Sequence, residues 1–292
     1  MKKSTAFLLL ALALTGFASA ERAVERTVPL PAHGRVEINN VAGTVAVVGW
    51  SKPEVAVSGT LDDNVKDLDI STSGDRVTIE VELNRKARYS AEAHLTVKVP
   101  TSAGVDVETV SADISVDDVT GDIDLESVSG NIEVSGETRS LSATSVSGDV
   151  RVASATGRTE LESVSGKVVV ARVTGRLEVS AVSGDIELDS GTLESLDLET
   201  VSGSVRCRVA PSAGGRFSIE SMSGKVELVV PADVSADFKI ETYSGSISNS
   251  FGPSPRRTDE YGPGRELRFT AGSGDARIAV ESFSGNVQLD TD

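Results

Sequence analysis

The sequence has few of the residues and motifs on which catalytic sites and disulfide-stabilised domains depend. Its one cysteine, Cys207, cannot form an internal disulfide, and its two histidines, His33 and His94, do not follow a metal-ligand spacing. A Gly-x-Ser-x-Gly sequence and a phosphate-binding loop are both missing, and helix-type periodicity is absent after Ala20. Aromatic residues make up 4% of the chain, while Val, Ser, Gly and Thr are abundant. We therefore predict an all-β protein with no catalytic residues and no cofactor.

The chain is short of positive charge. Its 28 Lys and Arg residues stand against 44 Asp and Glu residues, which gives a formal net charge of −16. A nucleic acid or an anionic membrane would be repelled by this charge. We expect neither as a partner.

The first twenty residues have the pattern of a secretory signal peptide. Lys2 and Lys3 precede an apolar run over residues 6–14, and Ala-Ser-Ala at 18–20 is typical of a cleavage site. The apolar run is too short for a membrane anchor, and no later stretch approaches the length of a transmembrane segment. We predict that residues 1–20 are a signal peptide and that the mature protein is exported to the periplasm or cell surface of a bacterium.

A three-residue phrase recurs through the middle of the chain. An apolar residue, a serine and a glycine stand together six times, with glycines spaced 18, 18, 18, 19 and 21 residues apart. These glycines, which we number as position 0 of each repeat, are Gly130, Gly148, Gly166, Gly184, Gly203 and Gly224. A fixed period of this length is typical of a repeat architecture.

Each repeat carries two short segments of alternating apolar residues. Ile132 and Val134 represent positions +2 and +4, and Ile123 and Leu125 represent positions −7 and −5. Alternation of this kind predicts a strand with one buried face. The next apolar residue stands at −2 rather than −3, which indicates that the inward parity switches across a bend near position −3.

Eighteen residues cannot bury their own apolar face, so the repeats must stack on one another. Stacking in register, about 4.8 Å apart, predicts a parallel β-solenoid with coils of about 18–21 residues over residues 105–292. An antiparallel meander of hairpins also explains the alternation. It does not explain why the same residue types recur at the same positions, so the solenoid is the preferred prediction.

Two regions depart from the period. Residues 21–104 are rich in strand patterns without the repeat spacing, and we interpret them as an N-terminal β cap with irregular first coils. Residues 250–264 are a Pro- and Gly-rich insertion, which makes them a candidate binding loop. The side chains that this loop offers are Arg256, Arg257, Asp259, Glu260 and Tyr261.

The order of these segments resembles one bacterial family. Residues 39–43, 48–51 and 95–100, followed by repeated Val-Ser-Gly-Asp-Ile phrases, are similar to the exported β-strand-repeat family labelled "putative adhesin". The resemblance covers about residues 35–292. It implies a β-solenoid-like fold and a cell-envelope setting, and it implies no catalytic residues.

An acidic column is expected along the stacked repeats at position −4. Stacked carboxylates repel one another, so they need water, basic neighbours or a bound cation. Calcium takes six to eight oxygen ligands, and a solvated acidic face is the alternative. The residues of this candidate cation column are Glu126, Glu162, Glu199, Glu220 and Glu241.

These patterns together favour a non-catalytic adhesin-like or envelope scaffold module that acts through repetitive faces. Its expected partner is an envelope protein or a glycan, and self-association through the terminal coil is a further expectation because a last coil leaves an open edge. Two alternatives remain: a polysaccharide-active β-helix enzyme that uses Asp259 and Glu260, and a calcium-dependent envelope module.

Overall fold

The computed structural model describes residues 21–84, 91–258 and 262–292. The predicted signal peptide at 1–20 lies outside the described residues, and so do Asp259, Glu260 and Tyr261 of the predicted loop. Within the described ranges the structure is all-β and contains no helix. Accordingly, none of these ranges holds a helix of the length and apolarity needed to cross a bilayer.

Across the described ranges, twenty-one strands form one hydrogen-bonded sheet. The strands before the regular repeats are β1 (Arg22–Pro29), β2 (Arg35–Trp50), β3 (Glu54–Leu61), β4 (Val65–Ser73), β5 (Arg76–Leu83) and β6 (Ala93–Pro100). The repeats contain β7 (Gly104–Asp117), β8 (Asp122–Ser127), β9 (Ile132–Ser135), β10 (Ser140–Ser145), β11 (Val150–Val152), β12 (Ala155–Ser163), β13 (Val168–Ala171), β14 (Val173–Ala181), β15 (Ile186–Ser202) and β16 (Val205–Val230). The remaining strands are β17 (Ala236–Ser244), β18 (Ile247–Asn249), β19 (Arg256–Arg257), β20 (Arg265–Ala271) and β21 (Ala276–Thr291).

Successive repeats pair in parallel, and each contributes to two ladders. In the first ladder, which holds positions −8 to −3, β8 pairs with β10 so that Ile123 lies opposite Leu141. In the second ladder, which holds positions +2 to +4, β9 pairs with β11 so that Ile132 lies opposite Val150. Both offsets equal the 18-residue period, so equivalent residues stack on one another as the repeat spacing predicts. A meander of hairpins is excluded for these repeats.

The inward side chains of both ladders belong to one hydrophobic core. Ile123, Leu125 and Ile132 are almost completely buried, in agreement with the alternation in the sequence. Cys207 also points inward and is buried, and this burial raises the pKa of its thiol well above the ordinary value.

The inward parity switches at the corner as expected, but the predicted inward direction of position −2 is wrong, because the switch falls at positions −2 and −1, which are both exposed. At the corner between the ladders, Ser145 at position −3 is buried and Val146 at position −2 is exposed. The Ser145 hydroxyl accepts a hydrogen bond from the N–H of Gly148 at 2.9 Å, and a Cβ on Gly148 would overlap the carbonyl oxygen of Gly130. Position −3 is a buried Ser, Thr or Ala in every repeat, and a hydroxyl there can bond to the corner backbone, which a valine side chain cannot do.

The C-terminal repeat does not end the stack. β21 lies between β16 and β17, and pairs in parallel with both, so that Ile278 lies opposite Phe217 on one side and Phe238 on the other. β20 then runs antiparallel to β17 on the far side. The prediction of an open edge at the last coil is therefore wrong, because neighbouring strands pair with β21 on both sides.

The region before the repeats continues both ladders. β2 pairs in parallel with β7, with Val36 opposite Val105 and Val45 opposite Ile114. On its other side β2 pairs with β5 and β6. Three strands, β1, β3 and β4, run antiparallel outside them.

Candidate binding face at the Ser-Gly corner

Nine exposed apolar side chains lie in a single row at position −2, because Ala112, Gly245 and Gly285 occupy position 0 of three further repeats. Strand pairing places them one above another, and each is between 42% and 63% exposed. The row covers about 38 Å, since eight steps of roughly 4.8 Å separate nine stacked strands. In spatial order this apolar column consists of Val110, Val128, Val146, Val164, Val182, Val201, Met222, Phe283 and Tyr243.

Contiguous exposure of this kind is unusual in a folded protein. Single exposed apolar residues are common and need no explanation, but a contiguous patch marks an interaction surface. These nine are all the large hydrophobic residues that are exposed among the described residues. The apolar column is therefore the candidate functional site.

The acidic residues predicted at position −4 form a second row beside the apolar column. The pairing places Glu199 opposite Glu220, and Glu281 between Glu220 and Glu241. Thr144 lies opposite both Glu126 and Glu162, so it separates them; Ser180 likewise separates Glu162 from Glu199. This acidic column is Glu108, Glu126, Glu162, Glu199, Glu220, Glu281 and Glu241 in spatial order.

Among the described residues, basic side chains neutralise only one end of the acidic column. Glu241 pairs with Arg268, and Lys239 lies 3.3 Å from Glu241 and 2.8 Å from Glu281. Partial burial raises the pKa of Glu241, but the hydrogen bonds from Arg268 and Lys239 outweigh it, so the pKa is lowered and the carboxylate stays ionised. The four members from Glu126 to Glu220 have no ion pair with any described residue.

The described residues contain no group of three or more His, Cys, Asp or Glu side chains that could hold a metal ion. Within the predicted cation column, Glu126, Glu162, Glu199 and Glu220 are exposed. Binding of a cation there stays a prediction.

A groove of about 840 Å³ follows the two columns toward β17. The apolar column from Val164 to Tyr243 and the adjacent carboxylates line it, and Thr258 with residues 262–264 forms its far wall. The insertion thus borders the groove. Arg256 and Arg257, two residues of the predicted binding loop, instead form β19 and pair with β20, with the Nε atom of Arg256 2.7 Å from Oε1 of Glu266.

Sequence reasoning missed the apolar column, although a signal was present. Position −2 is apolar in every repeat, and it changes from valine to Met222, Tyr243 and Phe283 in the later ones. A variable large apolar residue next to small inward-facing serines indicates a site without the tight packing constraint of a core.

The parallel in-register ladders define an all-β repeat protein. The chain belongs to the Toastrack DUF4097 family, whose model matches residues 33–290. This confirms the family resemblance that the sequence motifs indicate.

Several crystal structures are similar to the chain at low sequence identity. One is named "putative adhesin" from Parabacteroides distasonis, with 10% identity, a TM-score of 0.44, and coverage of 94% of this chain and 98% of its own. Another is named "putative adhesin" from Parabacteroides merdae, with 9% identity, a TM-score of 0.41, and coverage of 93% and 96%. A third is named "Putative lipid binding protein" from Parabacteroides distasonis, with 12% identity, a TM-score of 0.42, and coverage of 92% and 96%. No curated protein matches the chain.

Proposed function

We propose that this chain is an exported, non-catalytic β-solenoid module that binds a partner in the bacterial envelope through its apolar column. The observation that carries the proposal is the alignment of nine exposed apolar side chains along one corner of the stack. A repetitive surface of this length suits an extended partner, because each repeat offers the next part of that partner an equivalent contact. An adhesin-like or scaffold role follows from such contacts.

The carboxylate of Glu241 in the groove supports binding rather than catalysis. Glycoside hydrolysis needs a carboxylic acid whose pKa is raised so that it can donate a proton. Glu241 has the opposite character, since Arg268 and Lys239 keep it ionised. Turnover of a polysaccharide panel by the purified protein would contradict the non-catalytic proposal.

Co-sedimentation with isolated envelope fragments tests the contact surface. The test variant combines Val164→Asp with Val182→Asp, which places two charges within the exposed column. The matched control combines Thr174→Asp with Thr192→Asp, because these exposed threonines are nearly isosteric with valine and lie away from the column. Wild type and control are expected to sediment with the fragments, and the column variant is expected to remain in the supernatant.

Two results would overturn this proposal. One is equal sedimentation of the folded column variant and the wild type, which would show that the apolar column is not the contact. The other is no sedimentation of the wild type. Export is tested separately, since the N-terminal residue of protein purified from the envelope is expected to be Glu21.

A further inference from the structure

We infer that the partner segment held by the apolar column is a cationic amphipathic α-helix, with a row of Lys or Arg along one flank of its apolar face. This inference rests on the proposed function and specifies the chemistry of the partner. The arguments are the row of like charge on one flank of the column, the serine row of mixed surroundings on the other flank, and the spacing of the rows.

Among the described residues, a row of carboxylates without basic residues in it lies on one side of the apolar column only, whereas position +1 on the other side mixes Asp, Lys, Ser and Asn. Position −4 is two residues before position −2 on the same strand, so the two rows are about 6.6–6.8 Å apart. Glu162, Glu199 and Glu220 carry charges in that row that no described residue pairs. On the other side, position −1 is a serine in every repeat from Ser111 to Ser284. A complementary partner therefore carries positive charge along the flank that faces the glutamates. The flank that faces the serines needs no charge.

The spacing of the rungs suits a helix better than an extended strand. Residues on one face of an α-helix recur every three or four positions, which is about 4.5–6.0 Å along its axis. The rungs repeat every 4.8 Å or so, and a helix of about 25 residues matches the column's length of about 38 Å. Same-face residues of a strand are about 6.6–6.8 Å apart, so the first step along a strand is already about 2 Å out of register with the rungs.

The end of the groove fits the same partner. Tyr243 and Phe283 stack there, and their exposed aromatic faces are favourable for a Lys or Arg side chain, although Lys239 and Arg268 already pair with Glu281 and Glu241. A second copy of this chain would instead bring another net charge of −16 to the surface, and an anionic lipid surface would also be repelled.

Synthetic peptides of 25 or so residues, the length that the column requires, test the inference directly. The first peptide is a Leu/Lys helix with one leucine face and a lysine flank, the second has every Lys replaced by Glu, and the third is the Leu/Lys composition in a scrambled order without an apolar face. Fluorescence anisotropy at low and high salt measures binding to the full mature chain. The first peptide is expected to bind at least tenfold more tightly than either of the others, and high salt is expected to weaken it.

Charge-reversal variants locate the contact. Glu162→Lys with Glu199→Lys is expected to weaken the Leu/Lys peptide at least tenfold and to favour the Leu/Glu peptide. The control combines Glu133→Lys with Glu137→Lys, which makes the same change of net charge at exposed residues on the second ladder and its turn. This control is expected to leave affinity for the Leu/Lys peptide within about twofold, as for well-separated sites.

The outcomes separate this inference from the proposed function. Equal binding of the Leu/Lys and Leu/Glu peptides, abolished in both cases by Val164→Asp with Val182→Asp, would overturn the charge assignment and leave the apolar contact surface standing. The inference would be overturned if the control charge variant lost as much affinity as Glu162→Lys with Glu199→Lys, or if the scrambled peptide bound as tightly as the Leu/Lys helix. Either result would show that the interaction depends on net charge alone. Peptide binding that survives Val164→Asp with Val182→Asp would remove both proposals. If no peptide binds, the helix inference is overturned and co-sedimentation alone decides the proposed function.

Discussion

Tyr243 and Phe283 lie face to face, with ring centroids 5.1 Å apart and ring planes 4° from parallel, although forty residues separate them in the sequence. The contact exists because β21 pairs with β17, which places Ser284 opposite Ser244 and their preceding residues on adjacent rungs. Both rings occupy position −2 at the end of the apolar column. They therefore connect the C-terminal repeat to the repeat that borders the insertion.

The first prediction concerns this aromatic pair. A double-mutant cycle with Tyr243→Ala and Phe283→Ala is expected to show a coupling free energy toward the lower end of about 0.5–1.5 kcal/mol, since stacked rings attract one another beyond their buried area but these rings are 63% and 53% exposed. Urea unfolding of the four proteins measures it. As a control, Tyr243→Ala and Val110→Ala lie at opposite ends of the column and should be additive. Zero coupling in the aromatic cycle would show that the two rings do not stabilise each other.

The repeat strands were predictable because their pattern depends on local geometry alone. Ile123, Leu125, Ile132 and Val134 obey the period-two rule of a strand, and the 18-residue spacing determines which residues stack. Both features require no knowledge of distant parts of the chain. The all-β class and the in-register pairing follow from them.

The outward direction of position −2 was not predictable from apolarity. At this corner the inward position is held by Ser145, whose hydroxyl accepts the N–H of Gly148, so the next side chain along the strand, Val146, points outward. Hydrophobicity alone suggests the opposite direction. The small buried Ser145 continues the inward alternation of the first ladder, and it therefore determines that Val146 points outward.

The spacing of the repeats also could not predict the spatial order of the last ones. β21 belongs between β16 and β17, because the insertion and β20 form an antiparallel return on the outer side of β17. The phrases at Tyr243 and Phe283 read alike in the sequence. Only pairing across forty residues distinguishes an inner rung from an outer one.

The second prediction concerns the glycine at position 0. Gly148→Ala is expected to lower the free energy of unfolding by roughly 1–3 kcal/mol, as overpacking does in cores, because the added Cβ would overlap the carbonyl oxygen of Gly130. Chemical unfolding measures this change. The matched control is Gly191→Ala, since a Cβ there meets no atom within 4 Å and the residue does not have a positive φ. That control should be neutral or stabilising by up to about 1 kcal/mol, and a similar loss in both variants would contradict the close-approach argument.

The third prediction concerns the thiol of Cys207. The native protein is expected to resist labelling by a thiol-specific disulfide reagent, because the thiolate is the reactive species and burial raises the pKa of this thiol. Unfolding in urea should expose one equivalent of thiol per chain. A Leu188→Ala variant serves as a probe of local packing, since Leu188 lies opposite Cys207 on the neighbouring repeat. It should speed labelling below the unfolding midpoint, whereas rapid labelling of the native wild type would contradict the buried position.

The last prediction concerns Asp149, which joins two repeats at position +1. Its carboxylate accepts the backbone N–H of Lys167 at 2.9 Å and a hydrogen bond from Arg151 at 2.6 Å, and these bonds lower the pKa of Asp149. A lowered pKa in the folded state contributes stability above the unfolded pKa of about 3.9, and the contribution is lost as the pH falls through the folded value. Asp149→Asn keeps an oxygen acceptor and loses the charge, so it should destabilise the protein by up to about 1 kcal/mol at pH 7, given partial solvent screening. The difference from wild type should shrink below about pH 4.

The matched control for this prediction is Asp197→Asn. The Asp197 carboxylate has no hydrogen bond or ion pair among the described residues, so this change should alter stability by less than about 0.5 kcal/mol at pH 7 and at pH 3. Urea unfolding at both pH values measures these differences, and an Asp149→Asn effect that stays constant between pH 7 and pH 3 would show that the charge does not contribute.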